Sequence, residues 1–119
     1  MGDGQGMSTT TTSTMAVQFM TVSPTDNVTS RLIGVDVYNN QNEKVGDIED
    51  FVIADGKTIS GVIIGVGGFL GMGERYVAVA PSNLVLRREN NNVWRARLNT
   101  SKEDLSKAPT FDYSRTKPN

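Results

Sequence analysis

The sequence contains no cysteine and no histidine. Their absence excludes disulfides, thiolate nucleophiles, Cys/His zinc sites and a histidine general base. We therefore expect no catalytic residues, no metal and no cofactor, and we interpret the protein as a non-enzyme. A chain without cysteine suits the cytoplasm, and it equally suits an exported protein that needs no disulfides.

Long apolar runs and a strong net charge are also lacking. The apolar runs are too short to cross a bilayer, so we expect no transmembrane segment. A formal net charge of −1 over 119 residues gives no general attraction to phosphates, which argues against DNA and against RNA. The charges are unevenly placed, because acids predominate up to Asp55 and bases after it. The two halves could pair charge with charge within one copy or across a dimer.

The first 27 residues are rich in Thr, Ser and Gly and predict a disordered, flexible leader. Residues 16–22 have strand-like composition and could dock on the body. Residues 1–20 show no basic segment followed by an apolar core, so no signal peptide is expected there. The Thr-rich leader resembles the spacer of an exported protein after signal removal, which favours the periplasm over the cytoplasm.

The remaining residues predict one all-β domain, a small six-stranded barrel over residues 28–113, before a flexible tail at 114–119. Runs of β-branched and aromatic residues between turn residues mark the strands, at 32–38, 44–54, 58–66, 75–79, 84–88 and 93–98. Asp55-Gly56 is a strong hairpin signal. The second strand loses its alternation midway, which suits a bent barrel strand. Thr100 and Glu103 have capping-box spacing, so a short helix is predicted over 100–108, before Pro109.

The most apolar stretch, residues 59–80, surrounds a glycine-rich loop. A phosphate-binding loop leads into the N-terminus of a helix, whereas the glycines from Gly65 to Gly73 lead into a strand. No Gly-Lys-Ser/Thr follows them. We therefore interpret the loop as a wide hairpin connection in which glycine permits positive φ.

Several motifs together resemble the PRC-barrel domain family, over residues 31–113. They are LIGVDV at 32–37, EKVGDIED at 43–50, VIIGVGGFLGMGE at 62–74, VAV at 77–79 and TSKEDLSKAPTF at 100–111. The last is similar to the tail of short stand-alone bacterial members. The family is named for the cytoplasmic domain of the photosynthetic reaction centre H subunit and includes the C-terminal domain of a ribosome-maturation factor. The resemblance implies a docking or self-assembling module. It transfers neither relative's specific role, and the reaction centre's proton-uptake acids match no motif here.

The apolar residues around the central hairpin suggest an interface. Ile59 and Ile63 lie on the strand face opposite to Val62 and Ile64, so both faces require burial. The other candidates are the apolar loop tip and two aromatic residues near the C-terminus: Phe69, Leu70, Met72, Phe111 and Tyr113. A small barrel has few internal places for them. We therefore predict self-association as a homodimer and docking to an unidentified protein partner.

The charged residues support an alternative, a barrel that binds a small ligand, a cation or RNA. Its acidic candidates are Asp47, Glu49 and Asp50, which could equally form a solvated or arginine-paired face. Its basic candidates could line one outer surface, with Tyr76 and Trp94 nearby in sequence, and are Arg75, Arg87, Arg95 and Arg97. In the alternation of its strand, however, Trp94 falls on the side that faces the core. Cross-strand ion pairs with acidic residues account for the arginines equally well.

Overall fold

The computed structural model describes residues 16–71 and 73–112. Its strands are β1 (Asp36–Tyr38), β2 (Lys44–Ala54), β3 (Thr58–Val66), β4 (Arg75–Val79), β5 (Leu84–Arg88) and β6 (Trp94–Leu98). Two short α-helices flank them, α1 (Thr29–Leu32) and α2 (Lys102–Lys107). No helix in the described residues is both long and apolar enough to span a membrane.

All six strands form one sheet with the order β4-β3-β2-β1-β6-β5. Neighbouring strands are antiparallel except β1 and β6, which are parallel. The prediction of six strands is confirmed, but the predicted closed barrel is not formed. The sheet stays open because β4 and β5, its two edges, do not pair. Pro81, which lacks a backbone donor, begins a 3₁₀ turn between them.

The inner face of the sheet carries the hydrophobic core. Residues on this face from five strands pack together with Leu105 of α2, and the cluster comprises Val37, Val45, Ile48, Val62, Ile64, Val66, Val77, Ala96, Leu98 and Leu105. The clean alternation of Ala96 and Leu98 with exposed arginines in β6 follows the period of two that a half-buried strand requires.

The pairing of β2 with β3 contains two register shifts, one between Ile48 and Asp50 and one between Val52 and Ile53. The first lies where the alternation of the sequence slips. Beyond it, Asp50 lies opposite Ile63 and therefore on the outer face, because directly opposed residues share a face. Ile48, on the inner face, and Asp50 therefore lie on opposite faces, since the extra residue of a bulge inverts the alternation.

The predicted first strand is shorter than expected. Residues 29–32 form α1 and bury Leu32, and the left-handed backbone of Gly34, with a φ of 89°, redirects the chain into β1. Gly34 N donates to Ile48 O at 2.7 Å, so contact with β2 begins before the strand itself. A four-residue helix and a short strand both show only a short apolar run in the sequence. The run therefore could not indicate that the residues up to Leu32 form a helix rather than the start of the first strand.

Helix α2 begins with Ser101 as its N-cap, whose Oγ accepts from Asp104 N at 3.1 Å. Thr100 is therefore not the cap. At the other end, Arg75 Nη2 donates to Leu105 O at 3.3 Å and also to Ser106 O. Cationic side chains satisfy the free carbonyls of a helix C-terminus in this way. The helix is thus fixed across the inner face.

The β1–β2 turn is organised by buried Asn39. Its Oδ1 accepts from Gln41 N and Glu43 N, each at 2.9 Å, and its Nδ2 donates to Glu43 Oε1 at 2.9 Å. Glu43 Oε2 also lies 3.3 Å from Lys102 Nζ of α2. The Asn39 hydrogen bond, followed by Lys102, lowers the pKa of the Glu43 carboxyl below its usual value.

The described part of the leader does not dock as a strand. Residues 16–22 have no regular secondary structure, and their large apolar side chains are exposed, with Phe19 at 92%. Residues 1–15 lie outside the described residues, as do Met72 and residues 113–119.

Candidate interaction surfaces

The turn end of the β2–β3 hairpin presents an apolar pair. Ile53 and Ile59 lie directly opposite each other beside the Asp55-Gly56 turn, where Asp55 and Gly56 both have positive φ. Their side chains are 51% and 43% exposed. Further along β3, Ile63 is only 2% exposed. It lies on the opposite face of the sheet from Ile59, because the register shift between Val52 and Ile53 inverts the alternation, so the expectation that the two share a face is wrong. Of the two β3 isoleucines proposed as an interface, one is therefore buried within a single copy and the other is half in solvent.

The apolar residues of the loop between β3 and β4 also differ in burial. Phe69 is half-buried against the core, and Lys102 Nζ lies 5.6 Å from the centroid of its ring. Leu70 is 59% exposed and has a φ of 52°. Met72 lies outside the described residues. Phe69 therefore helps to fix α2, while Leu70 is the described apolar side chain of the tip that faces solvent.

The segment after α2 runs along β4. Phe111 N donates to Tyr76 O at 2.8 Å, and the Phe111 side chain is half-buried. Phe111, Leu105, Val77 and Leu98 contribute to the walls of a groove of about 630 Å³ between α2 and the sheet. Tyr113 lies outside the described residues. Phe111 is thus engaged with its own chain rather than projecting from it.

The acidic residues of β2 gather over a glycine. A Cβ added to Gly65 would lie 3.1 Å from Glu49 Oε2 and 3.4 Å from Asp47 Oδ1, so its absence leaves room for both carboxylates. Tyr76 lies directly opposite Gly65 on β4. The Glu74 carboxylate, then burial and the carboxylates of β2, raise the pKa of the Tyr76 phenol.

The third acid of β2 has a local role. Asp50 is half-buried, and its Oδ1 accepts from Phe51 N at 2.8 Å. Across residues 16–71 and 73–112, no group of three or more His, Cys, Asp or Glu side chains is placed to hold a metal ion. The acids therefore form no recognisable cation site in this part of the chain.

The four arginines do not share one surface. Arg75 lies opposite Val66, on the inner face, where it binds the end of α2, and its buried Nε has no partner among the described residues. Arg87, Arg95 and Arg97 lie on the outer face of β5 and β6, opposite to the face of Ala96 and Leu98. The basic residues of the outer face therefore include Arg87 but not Arg75.

One of these placements could have been found in the sequence. Arg75 shares strand parity with Val77 and Val79, which lie on the core side, and this parity assigns it inward. The pairing of Ile53 with Ile59 could not, because the turn spans three residues, 55–57, whereas a two-residue Asp55-Gly56 turn would pair Val52 with Ile59. Sequence reasoning missed the position of Arg75 because it grouped the arginines by type before assigning faces.

Comparison with protein families identifies a family for most of the chain. The family model of the PRC-barrel domain matches residues 28–105, which extend from the N-cap of α1 into α2 and include the whole sheet. A search of curated proteins finds no match to this chain.

Proposed function

Because the chain belongs to the PRC-barrel domain family, we propose that it is a non-catalytic interaction domain that forms a homodimer and docks to another protein. The observation that carries this proposal is the half-exposed pair Ile53 and Ile59 on paired strands of the sheet. Paired strands present these side chains in fixed positions, which reduces the entropy lost on binding.

A second copy is a suitable partner for this pair. In a twofold-symmetric dimer the same patch covers itself, so Ile53 of one copy can contact Ile59 of the other and the reverse contact forms by symmetry. Burying both isoleucines removes apolar surface from water at about 25 cal/mol per Å². Exposed Leu70 follows the other end of β3 and lies outside this patch.

The non-catalytic part of the proposal depends on residue types. The sequence offers no histidine and no cysteine to act as a base or nucleophile near neutral pH. The carboxylates over Gly65 lie on one strand of an open sheet face, rather than on two sides of a cleft as paired catalytic acids do.

Sedimentation velocity over a range of concentrations tests the dimer. We expect wild type to sediment as a dimer at high micromolar concentration and Ile59→Lys to sediment as a monomer. Val93→Lys is the matched control, because Val93 is 54% exposed but lies beyond the Asn-rich turn before β6. A monomeric wild type, or equal loss of dimer in both variants, would refute self-association through this pair.

The groove of about 630 Å³ favours a second candidate function, binding of a small, mainly apolar ligand. Its volume lies within the range of small-molecule sites, and apolar walls with a polar rim are typical of them. A thermal-shift screen tests it, since a ligand that binds the folded state raises Tm. Thr110→Trp, which fills the groove from its exposed rim, should abolish any such shift; a shift that persists would place the ligand elsewhere.

A further inference from the structure

A groove on the outer face of β5 and β6 contains three arginines. It has a volume of about 210 Å³ and is lined by Tyr38, Asn42, Val85, Arg87, Glu89, Arg95, Ala96 and Arg97. Arg87 lies directly opposite Arg95, and Arg97 lies directly opposite Val85 on one side and Tyr38 on the other. Two strands of one hairpin therefore bring three positive charges to one recess.

These charges are not neutralised within the described part of the chain. Ion pairs in this part join Lys44 to Asp36 at 3.1 Å and Lys102 to Glu43 at 3.3 Å, and neither includes an arginine. Glu89, at the rim, forms no ion pair with any of the three arginines. Like charges directly opposite each other destabilise a sheet. The arrangement therefore has an energetic cost that a bound anion would remove.

Two of the arginines are already held in place. The guanidinium of Arg95 lies 4.8 Å from the centroid of the Tyr38 ring. Arg97 Nη2 donates to Asn42 Oδ1 at 3.3 Å, and Asn42 has a positive φ of 62° at the β1–β2 turn. Side chains ordered before binding lose less entropy when they bind. The groove thus has the charge and the order of an anion site.

We propose that this groove binds an acidic segment of a partner protein, through carboxylates that engage Arg87 and Arg95. Guanidinium groups bind carboxylates with two parallel hydrogen bonds. Val85, which is 57% exposed beside Arg97, adds an apolar contact, so the segment should combine Asp or Glu with an apolar residue. This assignment deepens the proposed docking function and rests on it, but it does not depend on the dimer.

Nucleic acid fits the groove less well. Single-stranded nucleic acid requires aromatic faces on which bases stack. The Tyr38 ring has Arg95 over its face, and Trp94 lies opposite Arg88, with the parity of the inner face. The overall charge of −1 also opposes a long polyanion.

The residues of this sequence outside the described ranges do not match the proposed ligand. Residues 1–15, Met72 and residues 113–119 contain one acidic side chain, Asp3, against the basic Arg115 and Lys117. They offer no adjacent carboxylates, which the proposed segment requires. A second copy of this chain is the competing source, and the experiment below separates it from a partner protein.

Fluorescence anisotropy tests the proposal with a labelled peptide that alternates Glu-Asp pairs with Leu, at an ionic strength of about 0.15 M. We expect the peptide to bind wild type and its Gln-Asn counterpart not to bind. Arg87→Gln/Arg95→Gln should weaken binding by about tenfold or more, as expected for losing charge-assisted hydrogen bonds. Arg88→Gln/Lys57→Gln is the matched control, because it removes the same charge elsewhere, and it should bind within about twofold of wild type.

Four results would overturn the proposal: no peptide binding to the wild-type protein, equal binding of the Gln-Asn peptide, equal loss in the control variant, or tighter binding of an oligoribonucleotide. Sedimentation of the same variants identifies the competing occupant. If the Arg87/Arg95 variant loses its dimer, the groove binds a second copy and the assignment to a partner protein is wrong. A monomeric wild type that still binds the peptide would overturn only the proposed self-association.

Discussion

The outer faces of the β2–β3 and β5–β6 hairpins belong to one sheet but are built in opposite ways. On β2–β3, glycines allow side chains of the neighbouring strand to approach the backbone closely. Gly61 leaves space for Val52 and Gly65 leaves space for Glu49, while Ile63 between the two glycines is buried. On β5–β6, the outward positions carry long charged side chains and one exposed valine. The outer face of β2–β3 therefore depends on close packing against glycines, whereas the outer face of β5–β6 consists mainly of charged side chains.

This difference determines what each face tolerates. Close contact between backbones has almost no room for an added atom, so a single methyl group can disrupt β2–β3. Extended charged side chains are surrounded by water, and substitutions among them usually change stability by less than about 0.5 kcal/mol. Four substitutions, in order of decreasing expected effect, test whether the two faces differ in this way.

Gly46→Ala should have the largest effect. Its Cβ would lie 1.9 Å from Gly65 O, a contact that only movement of the backbone can relieve. We expect a loss of about 3 kcal/mol or more in the free energy of unfolding, measured by urea denaturation. Gly73→Ala is the control, because a Cβ there meets nothing within 4 Å, and it should stay close to wild type. Similar values for both variants would show that β2 and β3 can separate at little cost.

Ile63→Ala should have the next largest effect. Ile63 is 2% exposed, so its truncation should cost about 2 to 4 kcal/mol, the range for buried aliphatic residues. The comparison is Val85→Ala on the outer face of β5, where the side chain is 57% exposed and the loss should be below about 0.5 kcal/mol. Equal losses would mean that the two outer faces are buried to the same degree in solution.

Arg87→Gln should be slightly more stable than wild type, because it removes the like-charge contact with Arg95 and leaves Arg95 over the Tyr38 ring. Relief of the like-charge contact should add about 0.2 to 1 kcal/mol to the free energy of unfolding. The gain should shrink at high salt, since salt screens exposed charges. Reduced stability at low salt would contradict the view that these arginines repel each other in the free protein.

Glu43→Gln should have the smallest effect, confined to one pH range. The pKa of Glu43 is lower in the folded protein than the usual 4.5, so its contribution is present above that pH and is lost as the pH falls through the folded pKa. Wild type should therefore be more stable than the variant at neutral pH, and the difference should disappear in acid. Urea denaturation at several pH values measures it; a difference independent of pH would exclude the charge of Glu43 as its cause.

The strands were predictable where alternation and turn residues agree. The bounds of β2, β3, β4 and β5 match their sequence patterns, and β6 begins at Trp94, one residue later than expected. Each is flanked by residues that stop a strand, such as Asp55-Gly56 and Pro81. Local propensity and turn chemistry point to the same boundaries, which is the condition under which sequence patterns are reliable.

Features that depend on distant contacts could not be predicted in this way. A closed barrel requires the two edge strands, β4 and β5, to pair in register, and no local sequence pattern predicts that pairing. The outward position of Asp50 depends on a bulge at its pairing with β3. The clustering of Arg87 and Arg95 depends on the register of β5 and β6, which places them directly opposite each other.

The hydrogen bond from Phe111 N to Tyr76 O has a consequence for aggregation. An open sheet has two edges, and free edge strands recruit strands from other chains into fibrous or disordered aggregates. Residues after α2 occupy the β4 edge at this bond. An incoming strand must first displace them, so the C-terminal segment protects the protein against polymerisation through β4.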